Sequence, residues 1–215
     1  NNYAQIMSGS DAWNALSEVQ QEHVNQMLAT NGNAADANTY EELLATSTAG
    51  TYFTSLYLTD DENVYTTATA ANHAKIMMGK ATWDTLSEAS KAVVNAQLAA
   101  NGNTADNDTY PELWSQASAM DQAANEFIGA YLHGESGIYK TPTAANNAQI
   151  ISGSDAWDEL SDDVKTIVND ALAGNGNDEA YDTYPELLAA AEEQAANAEA
   201  FIAAYLLDEG AIISE

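Results

Sequence analysis

The sequence has no cysteine and no arginine, and only 5 lysines and 3 prolines among its 215 residues. Without cysteine there is neither a disulfide framework nor a thiolate metal site, so packing alone must hold the fold together. With no arginine and so little lysine, the chain has no basic cluster to neutralise phosphates. Nucleic acid is therefore excluded as a partner, and so is an anionic membrane surface. No run of eighteen apolar residues occurs, so no membrane insertion is expected. The chain opens Asn1-Asn2-Tyr3, with neither Met nor a basic and apolar leader, and reads as a mature or excised segment of something longer.

Acid is what the chain has in excess: 33 Asp and Glu, for a formal net charge of -28. The excess is uneven. Residues 1–68 carry nine acids and no lysine, residues 69–142 eight acids against four lysines, and residues 143–215 sixteen acids against one. Equivalent positions differ so much in charge that the acids read as a solvated coat, which keeps chains soluble and apart. Divalent cations would then act only as weak screening ions. A halophilic or acid-tolerant secreted origin accounts for the same surface.

The dominant pattern is one unit of about 70 residues written three times, over residues 1–68, 69–142 and 143–215. Trp13, Trp83 and Trp157 each stand eighteen residues before an Asn-Gly pair, and each of those glycines stands eight before Tyr40, Tyr110 or Tyr184. A unit this small buries only about 60% of its unfolded surface, so neighbouring copies are expected to lean on one another.

Each copy parses into three helices and a tail. The third helix opens with a capping box, Thr39 with Glu42, Thr109 with Glu112 and Thr183 with Glu186, and its apolar stripe includes Phe53, Phe127 or Phe201. The second opens at Ser17, Ser87 or Ser161, pairs Val24 with Leu28, Val94 with Leu98 and Val168 with Leu172, and stops at the Asn-Gly. The first carries Ile6, Ile76 or Ile150 and is interrupted at Gly9, Gly79 or Gly153, where a kink or break is expected. Thr69 and Thr143 are expected to cap the first helices of the later copies. Four residues are missing between Tyr40 and Phe53, so the first copy should be one helical turn short. The tail repeats an apolar pair, Val64-Tyr65, Ile138-Tyr139 and Ile212-Ile213, which is expected to pack and not to hang free. The expected fold is all-α: three tandem three-helix bundles forming an elongated array.

The aromatic residues Trp13, Trp83, Trp157, Tyr40, Tyr110, Tyr184, Phe53, Phe127 and Phe201 are assigned to the core, because burying an indole removes on the order of 150 to 250 Å² from water. Trp114, which stands where the other copies have Leu44 and Leu188, joins Met77 and Met78 as a candidate partner contact in the least charged copy. The loop residues Asn101, Asn103, Asp106 and Asp108 echo a calcium loop. Asp106 stands where that loop needs glycine, however, and Ala105 supplies no ligand, so a capped turn is the expected reading. His23, His73 and His133 fall at three different places in the repeat, which a repeated metal or acid-base site would not do. The Asn107-Asp108-Thr109 triplet fits a glycosylation acceptor that the other copies lack. No phosphate loop or nucleophile elbow is present, and no enzyme activity or cofactor is expected.

The pattern Trp-x-x-Leu-Ser, an apolar helix, then Thr-Tyr-(Pro/Glu)-Glu-Leu resembles the tandem helical modules of long bacterial cell-surface proteins, especially Gram-positive ones. The resemblance covers nearly the whole chain and implies a non-enzymatic extracellular stalk that displays an adhesive part. A second expectation is host-protein binding by three-helix modules of the immunoglobulin- or albumin-binding type. A third is a self-assembling filament or surface lattice, which the charge of -28 would oppose unless screened.

Overall fold

The computed structural model describes residues 2–33, 37–61, 63–208 and 211–212, with the side chains of residues 207–212 excepted. The chain is mostly helical. In the first copy α1 (Tyr3–Ser8) and α2 (Ser10–Asn14) meet at Gly9, followed by α3 (Glu18–Thr30), α4 (Tyr40–Tyr57) and a hairpin of β1 (Thr59–Asp60) and β2 (Asn63–Val64). The second runs α5 (His73–Met78), α6 (Lys80–Thr85), α7 (Glu88–Ala100) and α8 (Tyr110–Phe127). A π-helical turn, Ile128–Leu132, extends α8 into β3 (His133–Gly134) and β4 (Gly137–Ile138). The third runs α9 (Asn147–Ser152), α10 (Ser154–Glu159), α11 (Asp162–Gly174), α12 (Tyr184–Tyr205), β5 (Leu207–Asp208) and β6 (Ala211–Ile212). Among the described residues the same element order thus occurs three times.

Local chemistry explains the helix ends. The Ser17 and Thr39 hydroxyls accept the amides of Gln20 and Glu42, whose side chains accept the Ser17 and Thr39 amides in return at 2.9 Å each. Gly32, Gly102 and Gly176 follow the middle helices with φ of +81°, +87° and +77°, a left-handed turn that glycine takes without a Cβ penalty. The first helices break at Gly9, Gly79 and Gly153 as expected. At 18 residues α4 is one turn shorter than the 22-residue α12.

One expectation is corrected. The helices after the tails do not begin on Thr69 and Thr143. Asn72 and Asn146 hold the cap positions, accepting the Thr69 and Thr143 amides at 2.8 and 2.6 Å and donating to the Thr67 and Thr141 carbonyls at 3.1 Å each. Neither asparagine side chain caps its own helix; each braces the turn before it, in which the Thr69 and Thr143 carbonyls accept the His73 and Asn147 amides. The tails do not hang free: Tyr65 is buried and Val64, Ile138 and Tyr139 are half-buried. Val64 and Ile138 sit in two-residue antiparallel hairpins, rooted on Leu58 and Leu132, both fully buried. Strands of two residues are too short for any alternation to register in sequence. Ile212 occupies the same place in the β5–β6 pairing, and Ile213 lies outside the described residues.

Packing is offset from the sequence period. The chain forms two compact units, residues 1–118 and 119–215, and the division falls inside α8. Within the first unit α4 packs against α1 of its own copy and against α7 and α5 of the next. Within the second the π-helical turn packs on α9, and so does α12. The C-terminal part of a long helix therefore completes the core of the copy that follows it.

Candidate interaction site at the aromatic junctions

Phe53, on the last turns of α4, is 1% exposed because it enters the core of the second copy, 5.5 Å from the Trp83 ring and 4.9 Å, edge-on, from the Tyr110 ring. Phe127 does the same to the third copy, 5.4 Å from Trp157 and 5.0 Å, edge-on, from Tyr184. Edge-to-face contacts of this kind align the positive ring edge with the neighbour's negative face, adding about 0.5–1.5 kcal/mol to the area effect. One turn on, Tyr57 and Tyr131 ride 5.1 Å from their phenylalanines.

The receiving side is built identically. Tyr110 and Tyr184 donate their hydroxyls to the Ile76 and Ile150 carbonyls at 2.8 Å, and their amides to Asn95 and Asn169 Oδ1 at 3.1 and 3.0 Å. Burial pushes both hydroxyls well above the ordinary tyrosine range. The Asn-Gly-Asn turn clamps the incoming hairpin. Asn101 and Asn103 Nδ2 donate to the Val64 and Tyr65 carbonyls at 3.0 Å each, and Asn175 and Asn177 to those of Ile138 and Tyr139 at 3.2 and 3.1 Å. A third grip comes from the first helix: Lys75 Nζ reaches the Thr59 carbonyl and Asp60, while Gln149 donates to the Ala130 carbonyl and accepts from the Tyr139 hydroxyl. Asn33, Asn103 and Asn177 recur two places after the helix-ending asparagine, a regularity in the sequence that points to this clamp.

Each terminal region holds one half of such a junction. Trp13 stacks on Tyr40 at 4.7 Å, and the Tyr40 hydroxyl donates to the Ile6 carbonyl, so the receiving side is formed in the first copy too. Among the described residues no third ring joins that pair. Ile6, Val24, Leu28 and Tyr40 are only half-buried, whereas Ile76, Val94, Leu98 and Tyr110 are fully buried. At the other end Phe201 and Tyr205 keep their 5.1 Å pairing but are 56% and 70% exposed. The assignment of Phe201 to the core is therefore corrected: its equivalents are buried only by a following copy. Trp13, Trp83, Phe53, Phe127, Tyr110 and Tyr184 are buried, whereas Tyr40 and Trp157 are only half-buried.

The remaining sequence candidates do not converge. Trp114 is half-buried and lines a cleft of about 370 Å³ with Lys80, Trp83, Tyr110, Pro111 and Ser115. Met77 is half-buried and Met78 is 72% exposed, and neither lines that cleft. Of the calcium-like loop, Asn101 and Asn103 are committed to the hairpin, Asp106 is exposed and Asp108 half-buried. Among the described residues no group of three or more His, Asp or Glu is placed to hold a metal. His23 and His133 are exposed, and His73 Nδ1 lies 2.7 Å from the Ala70 carbonyl. No described helix is long and apolar enough to cross a membrane.

No protein-family model, curated protein or solved structure matches the chain. The arrangement therefore has to be read from its own physics. Its repeated act is the burial of one copy's phenylalanine in another copy, with a half-buried tyrosine beside it, worth about 1.5–3 kcal/mol for each phenylalanine in transfer free energy.

Proposed function

We propose that this chain is a non-enzymatic segment of an extracellular, cell-surface protein, in which three tandem three-helix modules of about 70 residues form an elongated stalk that displays an adhesive part. The observation that carries the reading is the seating of Phe53 and Phe127 in the copies that follow them. A continuous helix that ends in its neighbour's core couples copy to copy without a flexible linker, as a load-bearing spacer requires. The acid coat and the absence of disulfides suit a solvated rod. Small-angle scattering from the isolated chain is expected to give the long-tailed distance distribution of a rod. A compact, symmetric distribution would defeat the stalk. Antibodies to the chain should label intact, unpermeabilised cells of the source organism, and labelling only after lysis would defeat the location.

A host-protein-binding role is the second reading, favoured by exposed Met78 and the Trp114 cleft in the least charged copy. Retention of one serum or mucus protein by the chain, abolished by Trp114→Ala together with Met78→Ala, would select it over the stalk.

A further inference from the structure

The terminal regions carry complementary halves of a contact that the chain makes twice internally. The donor half is the end of α12. Phe201 and Tyr205 repeat the spacing of Phe53 with Tyr57 and of Phe127 with Tyr131 and keep the same ring-pair distance of 5.1 Å, but lie in the open. One turn before them stands Ala198, in register with Gly50 and with the buried Ala124. A small residue is needed there: a Cβ on Gly50 would lie 2.7 Å from Val93 Cβ, so the donor helix runs directly against the receiving one.

The acceptor half is the first copy. On α7 the positions facing the donor are Ala89, Val93 and Gln97; Val93 meets Gly50, and Gln97 donates to the Thr51 hydroxyl at 2.9 Å. Their counterparts on α3 are Val19, His23 and Met27, spaced four apart on one face, with Val19 77% and Met27 61% exposed. An apolar residue left in water at a place that the next copy uses for docking marks a vacant seat. Beside that face lie the Trp13–Tyr40 stack and Gly9. At Gly79 and Gly153, the counterparts of Gly9, the donor tyrosine ring lies against the backbone; among the described residues no such ring is one of the nearest neighbours of Gly9.

We propose that the end of α12 in one molecule seats in the first copy of a second molecule, with Phe201 against Trp13 and Tyr40 and Ala198 against the Val19–His23–Met27 face, joining copies of the chain head to tail. For the 215-residue chain by itself the occupant is a second copy, because the required shape is one this sequence supplies: a small residue, then Phe, then Tyr, at one-turn intervals and followed by a hairpin. The contact does not depend on where the protein resides. It is heterologous and unclosed, so it propagates into open strings and does not stop at a dimer. Mutual repulsion at a charge of -28 opposes it, and molar salt, with a screening length of about 3 Å, removes most of that opposition.

Sedimentation of the full chain at molar salt, from micromolar to millimolar concentration, tests this. The weight-average mass is expected to rise past twice the monomer mass. Phe201→Glu with Tyr205→Glu should give a donor-dead monomer, and Val19→Glu with Met27→Glu an acceptor-dead one. All four side chains are exposed, so circular dichroism should confirm unchanged helix content in both. An equimolar mixture of the two variants has one intact interface and should form a heterodimer and nothing larger. A wild type that stays monomeric, a mass that saturates at the dimer, or a mixture that stays monomeric would each overturn the proposal.

Discussion

A Cβ built on Gly153 would stand 2.9 Å from Cγ of Tyr131, so the ring at the end of one copy's long helix lies directly on the backbone of the next copy's helix break. Gly79 meets Tyr57 Cγ and Phe53 Cζ at 3.1 Å in the same way, whereas at Gly9 the three nearest described atoms to a Cβ would be the Tyr40 hydroxyl at 3.0 Å and the Ile6 and Gln5 carbonyls at 3.4 and 3.7 Å. The three glycines have φ of -80°, -68° and -80°, ordinary helical values, so close approach and not backbone freedom is what demands glycine.

Gly79→Ala and Gly153→Ala are accordingly expected to destabilise by about 1–3 kcal/mol through overpacking. Gly9→Ala should stay within about 1 kcal/mol of wild type, since alanine's better helix propensity offsets a small shift of the Tyr40 hydroxyl. Urea unfolding of the three variants measures this. Equal losses at all three sites would mean that the incoming ring is not the constraint.

Tyr110 and Tyr184 make the chain sensitive to alkali. Burial holds both protons in the folded state, while the unfolded chain releases them above about pH 10. The stability this contributes is complete below that pH and falls as pH rises, by up to about 1.4 kcal/mol per unit for each tyrosine. Replacing both with phenylalanine should flatten the alkaline limb of a stability profile, while costing about 0.5–1.5 kcal/mol each at neutral pH for the lost hydrogen bond, since the Ile76 and Ile150 carbonyls still accept the Gly79 and Gly153 amides. An unchanged alkaline limb would assign the effect to other groups.

Asn103 Nδ2 holds the Tyr65 and Asn107 carbonyls, and Asn177 Nδ2 those of Tyr139 and Tyr181. Alanine at either position should cost about 1–3 kcal/mol and loosen the clamped hairpin. Hydrogen exchange should then quicken at the Tyr65 and Tyr139 amides, which bond the Leu58 and Leu132 carbonyls. Unaltered protection at those amides would show that the hairpins stand without the clamp.

Carboxylate repulsion should limit stability at low ionic strength. Residues 143–215 carry sixteen acids and one lysine, and the ion pairs of Lys75, Lys80 and Lys91 all lie in residues 1–118 at exposed or half-exposed sites. Thermal melting is expected to rise with sodium chloride and with divalent cations, most for the second unit. A flat response from low to molar salt would refute the repulsion.

Much of the local structure was legible because it is locally caused. A threonine hydroxyl and a glutamate three residues on satisfy each other's backbone amides whatever else the chain does, so the starts of α4, α8 and α12 could be read off directly. Gly32, Gly102 and Gly176 likewise end helices by their own conformational freedom. The hairpins were not legible, because two-residue strands carry no period, and the cap positions at Asn72 and Asn146 were hidden behind equally plausible threonines.

The sequence alone determined that the chain is mostly helical, where most of its helices begin and end, and which face of the longer ones is apolar, because caps and i, i+4 spacing act within a few residues. Only the tertiary structure decided which core each apolar face enters. Phe53, Phe127 and Phe201 occupy the same place in the repeat, but the first two are buried and the third is exposed. The hydrophobic effect has no direction: it requires that a ring leave water, and the neighbour that receives the ring is chosen by geometry.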